Sequence, residues 1–366
     1  MSGAIGFSSY GSLDQILAST SSLRNQYTTL EEQTATGLVS QNYAGLASVS
    51  SQVMDLTAAI NQGTAYTQSI TQAQGKASSM QDVLSQIGTI VSNMSASAVA
   101  VSASTPGSTV TAMAQQATDD LSQIASLLNT TYAGDYIFSG ADTANPPIPS
   151  PDSITSSGMF TQIGAQVSAL ATVPTTPPVA TVIANTVSIA ASTAAGTTIF
   201  SSYLTGAGAT SGSTAPVQVQ IGPSQSVTLD LPANQNVGAV SDPSISGTGD
   251  AISDIMRSLA VVANSTSGMV SNPDFSTLMQ NVSQTLTSAG TTLSQESGYI
   301  GISQDAMTAA ANSQSSMQTV LQTQLTGLTD VDMPTAISNL QAVSNQLQTS
   351  YTLLGEVSSL NLAKYL

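Results

Sequence analysis

The sequence contains no cysteine and no histidine. These absences exclude disulfides, thiolate or imidazole zinc sites, and the Ser-His-Asp and Cys-His nucleophile systems of many hydrolases. Acid–base chemistry is left to Asp, Glu, Tyr and two lysines, so we predict a protein with no catalytic residue, no cofactor and no metal. The enzymatic alternative is a hydrolase that uses a pair of carboxylates in the middle of the chain, such as Asp230 and Asp242.

Basic residues are also scarce: four Lys and Arg stand against 20 Asp and Glu, which gives a formal net charge of −16. Nucleic acids and anionic membranes are bound through clusters of Lys and Arg, so neither is expected as a partner. No stretch approaches the roughly 20 consecutive apolar residues that cross a bilayer, so no membrane insertion is predicted. The first residues lack the basic and apolar regions of a secretory signal, and we expect either a cytosolic protein or export without a cleaved signal peptide.

Apolar residues spaced alternately by three and four run from Leu46 to Val101 and predict one very long helix. Because this repeat needs a partner helix, the matching spacing from Met279 to Leu328 supplies one, although polar residues interrupt it at Glu296, Ser303, Gln314 and Gln324. We therefore predict a mainly α fold built on a long antiparallel coiled-coil rod. Its seam comprises Leu56, Ile70, Leu84, Ile87, Val91, Leu286, Leu293, Ile300, Met307 and Leu321.

Each end of the chain carries a further amphipathic helix. Asp332 followed by Pro334 marks the start of the last one, since the carboxylate can cap free N–H groups and Pro fits the first turn. Isolated helices gain most of their stability from packing, so we expect these two to be disordered in a free subunit and to fold only on assembly. Their apolar stripes are Ile16, Leu23, Tyr27 and Leu30 in the first and Ile337, Leu340, Leu347, Tyr351 and Leu354 in the last.

The middle of the chain is rich in Pro, Gly, Thr and Val. Residues 181–190, 216–221 and 226–231 alternate apolar and polar side chains and are predicted as strands, the last two forming a hairpin. This pattern indicates a β-rich insert between the rod helices. The predicted organisation is an N-terminal assembly helix and turn (1–45), a long-helix rod (46–140), a variable β-rich insert (141–250), returning rod helices (251–330) and a C-terminal assembly helix (331–366).

The outer faces of the predicted rod carry Ser, Thr, Gln, Asn and Ala where soluble coiled coils usually carry Glu, Lys and Arg. Such surfaces do not repel a copy of themselves, and small side chains permit close packing. We therefore expect a homo-oligomeric building block, either a ring or a filament. A secreted coiled-coil adhesin is a more remote alternative.

Both ends of the chain resemble the flagellin superfamily. The segment LTDVDMPTAISNLQAVSNQLQTSYTLLGEVSSLNLAKYL (328–366) is similar to the family's C-terminus, and TATGLVSQNYAGLASVSSQV (34–53) is similar to its N-terminal turn and the helix that follows. The resemblance implies a structural, non-enzymatic subunit of the extracellular bacterial flagellum, which serves motility. It also implies type III export with a flagellar export chaperone and polymerisation with copies of itself.

One motif separates two branches of this family. Tyr136, Ile137, Phe138, Ser139 and Gly140, followed by a Pro-Pro pair, resemble a segment of the hook-associated branch that joins the hook to the filament. This resemblance implies a hook-associated neighbour on one side and flagellin on the other. The alternative within the family is a filament flagellin, which the chain length and the Ser/Thr-rich insert would also suit.

Overall fold

The computed structural model describes residues 6–206, 217–239 and 247–359. They divide into two compact units: the first comprises the described residues up to Thr64 with those from Ser315 onward, and the second those from Ala65 to Gln314. The helices are α1 (Gly6–Thr36), α2 (Ser50–Val99), α3 (Gly107–Leu128), α4 (Gly158–Val167), α5 (Val179–Ala190), α6 (Ala251–Ala263), α7 (Pro273–Thr329) and α8 (Met333–Ser359). The strands are β1 (Thr131–Tyr132), β2 (Asp135–Tyr136), β3 (Gln218–Gly222) and β4 (Gln225–Thr228).

The long helices α2 and α7 form where the apolar spacing predicts them. In the second unit they run antiparallel: Ser95 Oγ lies 3.1 Å from Ser283 Oγ, while Gln74 Nε2 donates to Thr308 Oγ1 at 3.0 Å. The predicted seam residues of this unit are buried, namely Ile70, Leu84, Ile87, Val91, Leu286, Leu293, Ile300 and Met307. In the first unit Leu56 is buried and Leu321 is half-buried. The mainly α fold, with long helices packed on each other, is confirmed.

The short helix α6 lies at the centre of the second unit. Its residues from Ala251 to Val262 are buried, because α3, α4 and α5 all pack against it. Asp250 caps its first turn by accepting a hydrogen bond from the backbone N–H of Ser253 at 2.7 Å. A helix that is covered on every side lies in the core of this unit.

The insert contains the predicted hairpin. β3 pairs antiparallel with β4, with Val219 opposite Val227, and the register shifts between Gln220 and Gly222. A second small antiparallel pair, β1 with β2, precedes it. The described part of the insert therefore includes one small sheet, as expected, together with helices α4 and α5.

The predicted strand over residues 181–190 is wrong, because this segment lies in α5. Its alternation of apolar and β-branched residues also fits a helix, in which Val182, Thr186 and Ala190 share one buried face at a spacing of four. Pro178 stands at the N-cap, where the N–H that proline lacks would have no intrahelical partner. Packing of α5 against α4 and α6 outweighs the local preference of this segment for a strand, so it forms a helix.

Candidate functional site

A short antiparallel bridge positions the terminal helices of the first unit. The backbone N–H of Val39 donates to the carbonyl of Thr329 at 2.7 Å, and that of Val331 donates to the carbonyl of Gly37 at 2.9 Å. Gly37 ends α1 with a φ of 74°, a left-handed conformation that glycine adopts without strain. The bridge brings the end of α1 beside the start of α8, and these helices pack against each other in an antiparallel sense.

The predicted stripe of α1 faces this contact. Ile16, Leu23, Tyr27 and Leu30 are half-buried. On α8, Leu347 is buried and Leu340 and Leu354 are half-buried, as predicted for a stripe. The helix begins as expected, with Asp332 accepting from the N–H of Thr335 at 3.3 Å.

Two residues of the predicted α8 stripe lie outside the buried face of this helix. Ile337 is 44% exposed and Tyr351 is 53% exposed, because they lie one position away from the buried face. The buried positions that sequence reasoning missed are Ala336 and Val343. With Leu340, Leu347 and Leu354 they form one helical face with spacings of three, four and seven residues. The phase of this repeat could therefore have identified them in the sequence.

Exposed large apolar side chains concentrate in the first unit. Eight of them lie there and three lie in the larger second unit, among the side chains that the structure describes. The eight are Leu17, Tyr43, Met54, Met317, Val320, Ile337, Tyr351 and Leu353, and the three are Val99, Val173 and Ile302. Most of the buried apolar residues, in contrast, belong to the second unit. The first unit therefore offers apolar surface to a partner, whereas the second mainly stabilises itself.

The second unit also carries an uncharged open groove of about 990 Å³ between α2 and α7. Gly88, Ala96, Gly290 and Ser294 are among its lining residues, and none of the lining residues is charged. In a chain with a net charge of −16, this face does not oppose close approach of another copy. The lining residues include no acid or base that could act on a substrate.

The segment Tyr136–Gly140 lies at the base of the insert. Ile137, Phe138, Ser139 and Gly140 are buried and Tyr136 is half-buried. The carbonyl of Phe138 accepts a hydrogen bond from the N–H of Ala233 at 2.9 Å. This segment therefore packs within the second unit and presents little of its surface to another molecule.

Of the two carboxylates in the candidate hydrolase pair, the structure describes Asp230, which is hydrogen-bonded to the backbone of the insert. Asp230 accepts from the N–H of Val217 at 3.4 Å, and Asp242 lies outside the described residues. Burial raises the pKa of Asp230, and the hydrogen bond from Val217 and the charge of Lys76 oppose this rise. Burial lowers the pKa of Lys76, against the charges of Asp230 and Asp135.

Neither a cluster of metal ligands nor a membrane-spanning helix occurs in the part of the chain that the structure describes. Across residues 6–206, 217–239 and 247–359, no three acidic side chains cluster in a way that could hold a metal ion. Over the same ranges, every helix is too short or too polar to cross a lipid bilayer.

A buried polar cluster links α5, α6 and α7 in the second unit. Arg257 is fully buried, and its guanidinium donates to Thr285 Oγ1 at 2.9 Å and to Thr186 Oγ1 at 3.3 Å. Its Nε lies 3.8 Å from Asp254 Oδ1. Burial raises the pKa of Asp254, which the hydrogen bond from Thr248 and the charge of Arg257 oppose. The cluster joins three helices and is internal, so its role is structural.

The sequence matches two models of one family. Residues 7–143 match the bacterial flagellin N-terminal helical region, and residues 283–366 match the bacterial flagellin C-terminal helical region. No curated protein matches the sequence. Flagellins are structural, non-enzymatic proteins of the extracellular flagellum, and they self-assemble into filaments. Together the two matches cover more than half of the chain, including both segments of the bridge between α1 and α8. The chain therefore belongs to the flagellin superfamily as a structural subunit of the bacterial flagellum.

Proposed function

We propose that this flagellar subunit assembles through its first unit and forms the junction between hook and filament. The observation that carries the assembly step is the concentration of exposed apolar side chains on that unit. Removing such side chains from water on contact with a neighbour is the main driving force for stable association. Ile337 and Tyr351 are central to the proposal, because they share one exposed face of α8 at a spacing of two heptads.

The junction role is supported by the resemblance of Tyr136–Gly140 to the hook-associated branch of the family. In this role one face of the assembly packs on a hook-associated neighbour and the other receives the first flagellin. Export uses a flagellar export chaperone. The alternative is a filament flagellin, in which all neighbours are copies of this chain.

Light scattering during addition of ammonium sulfate tests the assembly step. We expect the full chain to gain mass, and the Ile337→Ser and Tyr351→Ser double variant to remain monomeric at the same concentration. Val173→Ser is the matched control, since Val173 is 67% exposed but belongs to the second unit. If the double variant assembles like the wild type, or if the control fails to assemble, the first unit is not the driving surface.

Electron microscopy of the same samples separates the two roles. The junction role predicts short oligomers from the chain alone, and capped or extended structures when purified hook-associated protein or flagellin is added. Long filaments formed by the chain alone would instead assign it as a filament flagellin. The remoter alternatives, a carboxylate hydrolase or an adhesin in the insert, predict neither result.

A further inference from the structure

The insert contacts the part of α7 up to Gln314, which lies in the second unit with it. The insert returns to the helices through residues 229–239, which we term the return segment. Within it, Val237, Gly238 and Ala239 lie against the middle of α7. This segment has no regular secondary structure, so its backbone N–H groups need partners outside a helix or a sheet.

Glu296 of α7 supplies those partners. Its Oε1 accepts from the N–H of Val237 at 2.9 Å, of Gly238 at 3.0 Å and of Ala239 at 2.7 Å, and its Oε2 also accepts from Gly238 at 3.0 Å. The residue is only 1% exposed. Hydrogen bonds to an ionised acceptor are roughly twice as strong as neutral ones, and here three consecutive amides share one carboxylate.

Two further polar residues of α7 bind the insert backbone, here by donating to its carbonyl groups. Ser303 Oγ donates to the carbonyl of Thr228 at 3.1 Å, and Gln314 Nε2 donates to the carbonyl of Ile221 at 3.3 Å. With Glu296 they extend over 18 residues of helix, or about 27 Å at 1.5 Å per residue. Thus α7 packs its apolar seam against α2 and uses the polar positions of the same repeat to hold the insert.

Gly238 makes the closest part of this contact. A Cβ atom at this position would lie 2.6 Å from Cγ of the Tyr299 ring, so only glycine lets the return segment lie flat on α7. The same segment contacts the base of the insert, where the N–H of Ala233 donates to the carbonyl of Phe138. The segment Tyr136–Gly140 therefore helps to seat the insert.

We propose that Glu296 is the positioning residue that fixes the insert on the rod helices, with Ser303 and Gln314 as secondary attachment points. The insert is then a rigid part of the second unit and does not swing freely as an appendage. This proposal is independent of the assembly role, because none of these residues belongs to the first unit.

Hydrogen exchange of backbone amides, followed by mass spectrometry, tests the proposal on the full chain. In Glu296→Gln we expect exchange at Val237, Gly238 and Ala239 to accelerate roughly 10- to 100-fold, the loss that corresponds to a charge-assisted bond. Amides of α2 and α7 in the second unit should exchange as in the wild type. Asp305→Asn is the matched control, since it removes the same charge from an exposed position of α7. Unchanged exchange at the three amides in a folded Glu296→Gln protein would overturn the proposal.

If Glu296→Gln loses its helical circular dichroism and so does not fold, a second variant tests the role of this contact. Gly238→Ala keeps every carboxylate and displaces the return segment by steric contact with Tyr299, so exchange at Val237 and Ala239 should rise at least about tenfold. Its control is Gly298→Ala, because a Cβ atom there meets no other atom within 4 Å. Exchange like that of the wild type in Gly238→Ala would overturn the assignment.

Discussion

Asp250 should make the protein less stable as the pH rises from mildly acidic to neutral. Its carboxylate caps α6 and is 8% exposed, and burial raises its pKa from 3.8 to about 6. Hydrogen bonds from Ser253 favour the charged form, but they do not offset the loss of hydration, and the nearby negative charge of Asp254 adds to the rise. Glu296 lines the same small enclosed cavity as Asp250, so a second carboxylate also faces it.

The sign follows from proton linkage. Between pH 3.8 and about 6 the folded protein holds a proton on Asp250 that the unfolded chain has released. The stabilisation is therefore complete below pH 3.8 and is lost as the pH rises through 6. Each pKa unit corresponds to about 1.4 kcal/mol, so the interval from about pH 4.5 to about 7.5 carries about 2 kcal/mol. Asn retains the capping oxygen and cannot ionise, so Asp250→Asn should lack this dependence.

Urea unfolding followed by circular dichroism at about pH 4.5 and about pH 7.5 measures the effect. We expect the free energy of unfolding of Asp250→Asn, relative to the wild type, to increase by about 2 kcal/mol between the two pH values. This difference is more informative than the absolute curve, because the pKa values of Asp120, Asp230 and Asp254 are also raised. A relative stability of Asp250→Asn that does not change with pH would refute the reasoning.

Three further substitutions test the fold. Arg257→Ala leaves the charge of Asp254 without its buried cation, and we expect the free energy of unfolding, measured with urea, to fall by about 3 kcal/mol. Ile87→Ala opens a cavity at a fully buried seam position and should lower the same free energy by about 3 kcal/mol, with Val173→Ala as an exposed control. Gly37→Ala forces a side chain into a φ of 74°, which should weaken the bridge by about 1 kcal/mol and accelerate amide exchange at Val39.

The long helices could be predicted because one physical requirement governs both pattern and structure. A helix that packs along its whole length must place an apolar residue toward its partner at every third or fourth position. Positions such as Ile70, Ile87 and Met307 therefore carry the signal in the sequence itself, and all three are buried. The hairpin of β3 and β4 was predictable for a similar reason, since alternation follows directly from strand geometry.

The expectations for α5 and α8 differ from the structure for two reasons. In α5 two sequence patterns coincide, and in α8 the larger side chains do not lie on the buried face. In α5 the alternation of β-branched residues coincides with a face at a spacing of four, and contact with α4 and α6 selects the helix. In α8 the larger side chains of Ile337 and Tyr351 suggested the buried face, whereas the smaller Ala336 and Val343 occupy it. Exposure of large side chains beside a buried small-residue face is unfavourable in an isolated subunit, and it is consistent with a second partner on α8.

The contact at Glu296 could not be predicted in its details, because its partners lie 57 to 59 residues away along the chain. The sequence nevertheless contained a signal, since polar residues interrupt the apolar repeat at Glu296, Ser303, Gln314 and Gln324. A charged or polar residue at a buried position is unfavourable unless it is hydrogen-bonded, so each interruption requires a partner from elsewhere in the fold. In the structure the insert backbone is a partner of Glu296, Ser303 and Gln314, whereas Gln324 is exposed. Three of the four polar positions of this repeat therefore contact the insert, which explains how α7 serves the rod and the insert with a single repeat.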